Sequence, residues 1–353
     1  MYVIKRLNAL WLRTHTAGVV NDRLLGELRG ALVPGAGIEE SGAALSRVIA
    51  PIVAHDGLRC GVMNPSLGVG ISALGFWHGY GPDLGRELMS VGSFAAGLPE
   101  LGRLARQTVP VGVVDLSVPL GAFGVGEELC LVLRDTRGVW GLVSLTRAAG
   151  GRPFDADDTH AIAAVGRPLI AALRGCVTAR PVAPTADGLP PGMLVVGADG
   201  KVRAMTPVAR QWLAAEAPQD AVPDWLLESF LAALSFEAHA HARDPRRRYP
   251  RTCFRSAGSG WTGIEAQPLG DNGDVAITVQ RATGTLLLPT FCDWYQITTR
   301  ERQVMRYLHN GTAPRRIARL LDLSVHTVDD YLKALFRKTG TCGRDELIAA
   351  INA

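Results

Sequence analysis

The sequence predicts a multidomain α+β protein that ends in an all-α module. Three observations carry this. The 353 residues suffice for roughly two or three domains of about 100–200 residues each. Up to about residue 284, amphipathic helical stretches alternate with β-rich runs, the pattern of helices flanking antiparallel sheets. From Ile297 to Ala353 only helical patterns remain, and ten Lys and Arg face six Asp and Glu, so the chain's whole net charge of +4 sits there. A basic module on a neutral body is the charge layout of a tethered nucleic-acid-binding domain.

Composition excludes several classes. Hydrophobic residues at 47% with 20% charge fit a protein that buries real cores. No run reaches the roughly 18 uninterrupted apolar residues of a membrane span, so no membrane partner is expected. Lys5, Arg6, Asn8 and Arg13 break any apolar region at the start, which argues against a signal peptide. Cys60, Cys130, Cys176, Cys253, Cys292 and Cys342 are scattered, with no C-x-x-C and no histidine at ligand spacing. This predicts no metal, no cofactor and no disulfide framework, and a cytoplasmic location. No nucleophile, base and orienter fall together, so an enzyme is not expected. G-x-x-x-x-G-K-[ST] is absent.

The first domain is placed at 1–175. NDRLLGELRGAL and EESGAALSRVIAPIVA read as helices, and ELCLVL, RDTRG and VWGLVSLTRA as a hairpin. PFDADDTHAIAAVGRPLIAALRG reads as a helix capped by Asp155, with Gly175 just past its end. Residues 176–188, rich in Pro and Ala, read as a linker. The second domain, 189–284, opens with a strand, a turn at Asp199 and Gly200, another strand, and a helix entered at Pro207. PDWLLESFLAALSFEAHAHA follows as a long helix, then the strand-like YPRTCFRSA, GWTGIEAQPL and DVAITVQRA. No internal repeat is visible, and 285–296 reads as a second linker. In the first domain, Phe76, Trp77, His78 and Tyr80, with Cys60 and Trp140 on neighbouring strands, form a candidate aromatic ligand pocket. The alternative is that these residues fill the domain core or a lid. Arg243, Arg246, Arg247, Arg248 and Arg251 form the densest basic run, either a solvated loop before a strand or a nucleic-acid or acidic-partner patch.

The third block, 297–353, reads as four helices. Thr298 and Glu301 form a capping box, Pro314 opens a short second helix, Ser324 caps the third and Gly340 stops it. Val328, Tyr331, Leu332, Leu335 and Phe336 make one apolar stripe on the third helix. His326, Asp329, Asp330, Lys333 and Arg337 are left on its outer face. This is the plan of a helix-turn-helix whose recognition helix enters the major groove.

Thr298, Arg300, Glu301, Val304, Gly311, Ile317, Ala318, Leu321, Leu323, Ser324, Thr327, Val328, Leu332, Lys338, Gly340, Arg344, Glu346 and Leu347 together resemble the LuxR-type DNA-binding domain. That resemblance implies a transcription regulator acting on double-stranded DNA as a homodimer. It implies DNA contact through Thr298, Arg315, Arg316, Ser324, His326, Thr327, Asp329, Asp330, Lys333, Arg337 and Lys338, and pairing through Leu347, Ile348 and Ile351. The sequence departs from the family at Ala313, where a hydroxyl cap is usual. It departs again at Asp329 and Asp330, where lysine and a small residue or Asn are usual. Asp329 could pair with Lys333 four residues on, or select sequence by exclusion while Lys333 and His326 read bases. GEELCLVLRDTRGVWGLVSLTRAAGGRPFDADD resembles the GAF-like region of actinobacterial LuxR-type regulators, and VVGADGKVRAMTPVARQWL is similar to a PAS opening, with Thr206 where Asn is usual. These resemblances imply sensor domains for a small-molecule effector or protein signal. The alternative is a signalling adaptor with a degenerate DNA-binding domain.

Overall fold

The computed structural model describes residues 22–66, 74–90, 97–115, 120–179, 189–216, 224–255 and 260–352. In the first block, helix α1 (22–31) and α2 (Ile38–Ile49) precede strands β1 (Gly57–Val62) and β2 (Leu74–His78). Helices α3 (Pro82–Ser90) and α4 (Gly97–Arg106) follow, then β3 (Val111–Asp115), β4 (Val125–Asp135) and β5 (Gly138–Ala148). Helices α5 (Ala156–Ala163) and α6 (Gly166–Thr178) close the block. The strands form one antiparallel sheet in the order β2-β1-β5-β4-β3. The expected hairpin is β4–β5, turning at Thr136 and Arg137. Helix α2 lies directly on β2: a Cβ at Gly42 would sit 1.8 Å from the Trp77 carbonyl oxygen, so only glycine fits.

Asp155 caps α5 as expected, in a reciprocal box with Asp158. Two details differ from expectation. The helix breaks at Ala164 and Val165, and its second half continues through Gly175 to Thr178. Leu169, Ile170, Leu173 and Val177 are buried there, and this packing outweighs glycine's preference for a stop. By length and composition the 156–178 stretch could cross a membrane, yet this face is spent on the protein's own core.

The second block contains β6 (Gly192–Val196), β7 (Val202–Met205), α7 (Pro207–Glu216), α8 (Asp224–Arg243), β8 (Arg251–Arg255), β9 (Trp261–Leu269) and β10 (Asp274–Arg281). Its sheet order is β7-β6-β10-β9-β8. Counted within each block, both sheets run 2-1-5-4-3. The repeat is one of topology, which antiparallel pairing can specify without any repeat of residues. Thr206 accepts from the amides of Ala209, at 3.2 Å, and Met193, at 3.0 Å, so it both caps α7 and ties it to β6.

The segment expected as the linker 285–296 is instead helix α9 (Gly284–Trp294). Leu286, Leu287, Leu288, Phe291, Cys292 and Trp294 are buried around its circumference, and a helix apolar all round belongs inside a core. Helices α10 (Thr299–His309), α11 (Pro314–Leu321), α12 (Val325–Thr339) and α13 (Arg344–Asn352) complete the chain. One contiguous apolar core runs from α1, α2 and the first sheet through α9 into this terminal module. The second block keeps a core of its own.

Polar contacts around α9 join all three blocks. Trp294 donates to Asn64 at 2.7 Å, and Asn64 donates to the Cys253 carbonyl at 2.6 Å. Trp294 also packs edge-on against Trp140, with ring centroids 5.1 Å apart. Asp293, 2% exposed, accepts from the Ser66 amide and from Arg302 on α10, each at 2.9 Å. Arg137, at the hairpin turn, lies 3.7 Å from Asp293 and donates to the Ile297 carbonyl at 3.1 Å.

Candidate nucleic-acid interface

The terminal module builds its outer face from well-capped helices. The Thr298 side chain accepts from the Glu301 amide, and the Glu301 carboxylate in turn accepts from the Thr298 amide at 2.7 Å. Helix α11 begins with Pro314 after Ala313, which supplies no side-chain cap. Asp322 turns the chain with φ of 52°, and Ser324 starts α12 by accepting from the Thr327 amide at 3.0 Å. Gly340 ends α12 with φ of 70°, a left-handed cap that glycine adopts without Cβ strain. Ile317, Ala318, Val328, Leu332 and Leu335 are buried, with Tyr331 and Phe336 packed beside them, so the expected stripe is the inner face of α12.

The outward face is open. His326, Asp330 and Lys333 have side-chain exposures of 82%, 56% and 72%, and Arg337, Arg315 and Arg316 are also exposed. No described residue of the other blocks covers this face. The acid that pairs is Asp330. It stands 3.4 Å from Lys333 and 3.5 Å from His326, while Asp329 has no ion pair among the described residues. The expected Asp329–Lys333 pair is therefore corrected: Lys333 instead closes on the acid one turn back at i−3. Thr298, Ser324 and Thr327 are spent partly on capping, although each sits at a helix start facing outward.

Lys338 needs a second correction. Its ammonium donates to Glu301 at 2.6 Å and to the Gln296 carbonyl at 2.9 Å, so it clamps α12 to α10 and is not free for phosphate. Burial alone would raise the Glu301 carboxyl, but hydrogen bonds from Lys338 and Thr298 outweigh it and hold it below the usual glutamate range. The stabilisation is fully present above about pH 4.3, the ordinary value, and is lost as pH falls through the lower folded value. Lys338→Met strands a nearly buried carboxylate and should cost about 2–3 kcal/mol at neutral pH, with a smaller loss in acid. Urea midpoints at both pH values check this, and equal losses would contradict it.

The expected dimer stripe is corrected too. Leu347 and Ile351 are 0% and 1% exposed, and Ile348 is half-buried, because α13 packs its apolar side onto α9, α10 and α12. An apolar stripe looks alike in sequence whether its partner is another chain or another helix of the same one.

The candidate ligand pocket does not assemble. Cys60 pairs with Phe76 across β1–β2 while the next pair is Arg59 and Trp77, so alternation sends Cys60 and Phe76 into the core and Trp77 to the opposite face. Trp140 is in the core as well, Tyr80 lies partly buried beside Thr146, and His78 is exposed. A groove of about 710 Å³ lies elsewhere, between α1 and α2, lined by Leu24, Ala31, Arg47, Val48 and Ile52. In the basic run, Arg248 donates to the Pro65 and Ser66 carbonyls and Arg247 approaches Glu237 at 3.4 Å, so both serve the fold. Sequence reasoning missed Asp293, Arg302 and Arg137, because only the fold brings them together.

Residues 296–351 match the family described as bacterial regulatory proteins, luxR family. This module is a LuxR-family helix-turn-helix domain. No curated protein matches the chain. Among solved structures, Escherichia coli SdiA is 10% identical, with 88% of each chain covered and a TM-score of 0.33. The Vibrio cholera VqmA–ligand–DNA complex is 17% identical over 46% of this chain and 81% of that one, with a TM-score of 0.22. The Escherichia coli DhaR(N)–DhaL complex is 12% identical over 75% of this chain and 89% of that one, at 0.22. These superpositions are too loose to show a shared overall fold. The firm assignment is therefore the LuxR module itself.

Proposed function

We propose that the chain is a transcription regulator that binds operator DNA as a homodimer, with two N-terminal sensor domains governing the LuxR module. The observation that carries the reading is the match of residues 296–351 together with an uncovered recognition face. Arg315 and Arg316 hold the duplex through phosphates, His326 and Lys333 face base edges, and the uncompensated Asp329 disfavours sequences without a donor opposite it. The first block is GAF-like and the second PAS-like. Support comes from two antiparallel five-stranded sheets of the same 2-1-5-4-3 order, each packed with helices. The sensor domains act through α9, which touches both of them and the LuxR module. With the reading face open, control falls on how two modules pair and are spaced, not on masking of base-reading residues.

The test is an electrophoretic shift of the DNA upstream of the chain's own gene, titrated with salt. The double substitution Arg315→Ala, Arg316→Ala should weaken binding on all sequences alike and lower the salt slope by about 2. An unchanged slope would remove both from the interface. No shift at low salt, with or without cell extract, would overturn the regulator reading.

A further inference from the structure

The groove between α1 and α2, about 710 Å³ in volume, has no part in the DNA-binding face. Its lining is mostly apolar: Leu24 and Ala31 from α1, with Ala44, Val48 and Ile52 from α2 and the residues just after it. Val48 and Ile52 are only half-buried there, and Pro51 is exposed. Exposed Arg23, Glu27 and Arg47 flank it, and Arg23 pairs with Glu27 at 2.9 Å. The α1 side is also small. Gly30 lines the groove and Gly26 lies one turn before it, both inside the helix. A Cβ built on either would meet nothing within 4 Å. Glycine weakens a helix relative to alanine, and no contact within the described residues requires it at these places. What it supplies is room for another segment to approach the α1 backbone closely.

A segment of matching character precedes α1 in the chain. Residues 1–21 lie outside the described residues and run directly into α1, where Arg23 and Leu24 already line the groove. Val3, Ile4, Leu7, Leu10 and Trp11 recur at helical spacing and make one apolar stripe, with Lys5, Asn8 and Arg13 on the other side. As a helix, Val3 to Trp11 would span about 12 Å, against about 10 Å along α1 from Leu24 to Ala31. The ten residues from Leu12 to Asn21 leave length for the chain to double back. The charges are complementary as well. The segment holds Lys5, Arg6 and Arg13 and no acid. Doubling back carries Lys5 and Arg6 towards Ala31 and Ala44, the lining residues nearest the α1–α2 connection. Exposed Glu40 stands there, one turn before Ala44.

We propose that this groove is the docking site of the chain's own residues 3–11, laid against α1 and α2 as an amphipathic helix. The apolar stripe covers Leu24, Val48 and Ile52, the backbone passes over Gly30, and Lys5 meets Glu40. The docked segment braces α1, whose Leu24, Leu28 and Leu32 belong to the core shared with the first sheet. The inference concerns the surface of the first block and stands whether or not that block senses a signal.

Photo-crosslinking in the full chain tests it. On irradiation, Trp11→p-benzoylphenylalanine should attach to residues between Leu24 and Ile52 of the same chain, giving an adduct of one chain's mass. Attachment elsewhere in the chain, or none, overturns the proposal. An adduct of two chains' mass makes a second copy the occupant and overturns it as well. Trypsin gives an independent readout, because cleavage of a docked segment follows the fraction that is undocked. Gly30→Leu fills the groove with a residue that favours the helix, and Leu10→Glu breaks the apolar stripe without altering any described residue. Each should speed cleavage after Lys5 and Arg6 by at least about tenfold over the unsubstituted chain. An unsubstituted chain cut as fast as Leu10→Glu overturns the docking, even if Gly30→Leu fails to fold.

Discussion

Asp293→Ala should release the LuxR module from the sensor blocks. The carboxylate is nearly inaccessible and holds the Ser66 amide, Arg302 and Arg137 at once. Removing it leaves the Ser66 amide and Arg302 without this acceptor and takes the counter-charge from Arg137, which keeps the Ile297 carbonyl, at a cost of about 3–5 kcal/mol. That strain sits at α9, where the core of the first block continues into the terminal module. Calorimetry on the full chain should therefore show one melting transition becoming two, and limited proteolysis should cut between Trp294 and Thr299. Asp293→Asn retains an acceptor for Ser66 and should lose distinctly less. Operator binding should survive in the alanine variant while any dependence on the sensor blocks disappears. A single unsplit transition would show that the apolar contacts of α9 hold the module without Asp293.

Leu347→Asp should unfold the LuxR module, not merely separate two copies of it. The side chain is completely buried among α9, α10 and α12 residues. An unpaired carboxylate there costs more than about 4 kcal/mol, a large share of a small domain's stability. Circular dichroism should lose helical signal, and the operator shift should vanish at every protein concentration. A variant that keeps its helices and sediments as a monomer would instead mark the stripe as a surface between copies. It would also mean that α13 leaves this packing when DNA is bound.

Much of the terminal module was legible from sequence because its signals are local. The Thr298–Glu301 box, Pro314, the Ser324 cap and Gly340 each act within one turn of chain, and each stands where its spacing puts it. The same holds for the β4–β5 hairpin and the Asp155 cap. Roles that depend on a distant partner were not legible. Lys338 reads as a phosphate contact until Glu301, on a different helix, is found beneath it. Cys60 and Phe76 read as pocket residues until the strand register turns them inward. Leu347 reads as a surface between subunits until α9 is seen to cover it.

By itself, then, the sequence determined a basic four-helix module with a capped recognition helix, two α+β blocks before it, and two acids on the reading face. Capping, helical periodicity and net charge are properties of neighbouring residues, and they need no third dimension. Tertiary structure alone decided that 284–294 is a buried helix joining three blocks, that Asp330 and not Asp329 holds Lys333, and that Lys338 serves Glu301 and not phosphate. Each of these depends on which faces meet across large separations in the chain. Burial, where an unpaired charge or donor costs most, then makes those few meetings decisive.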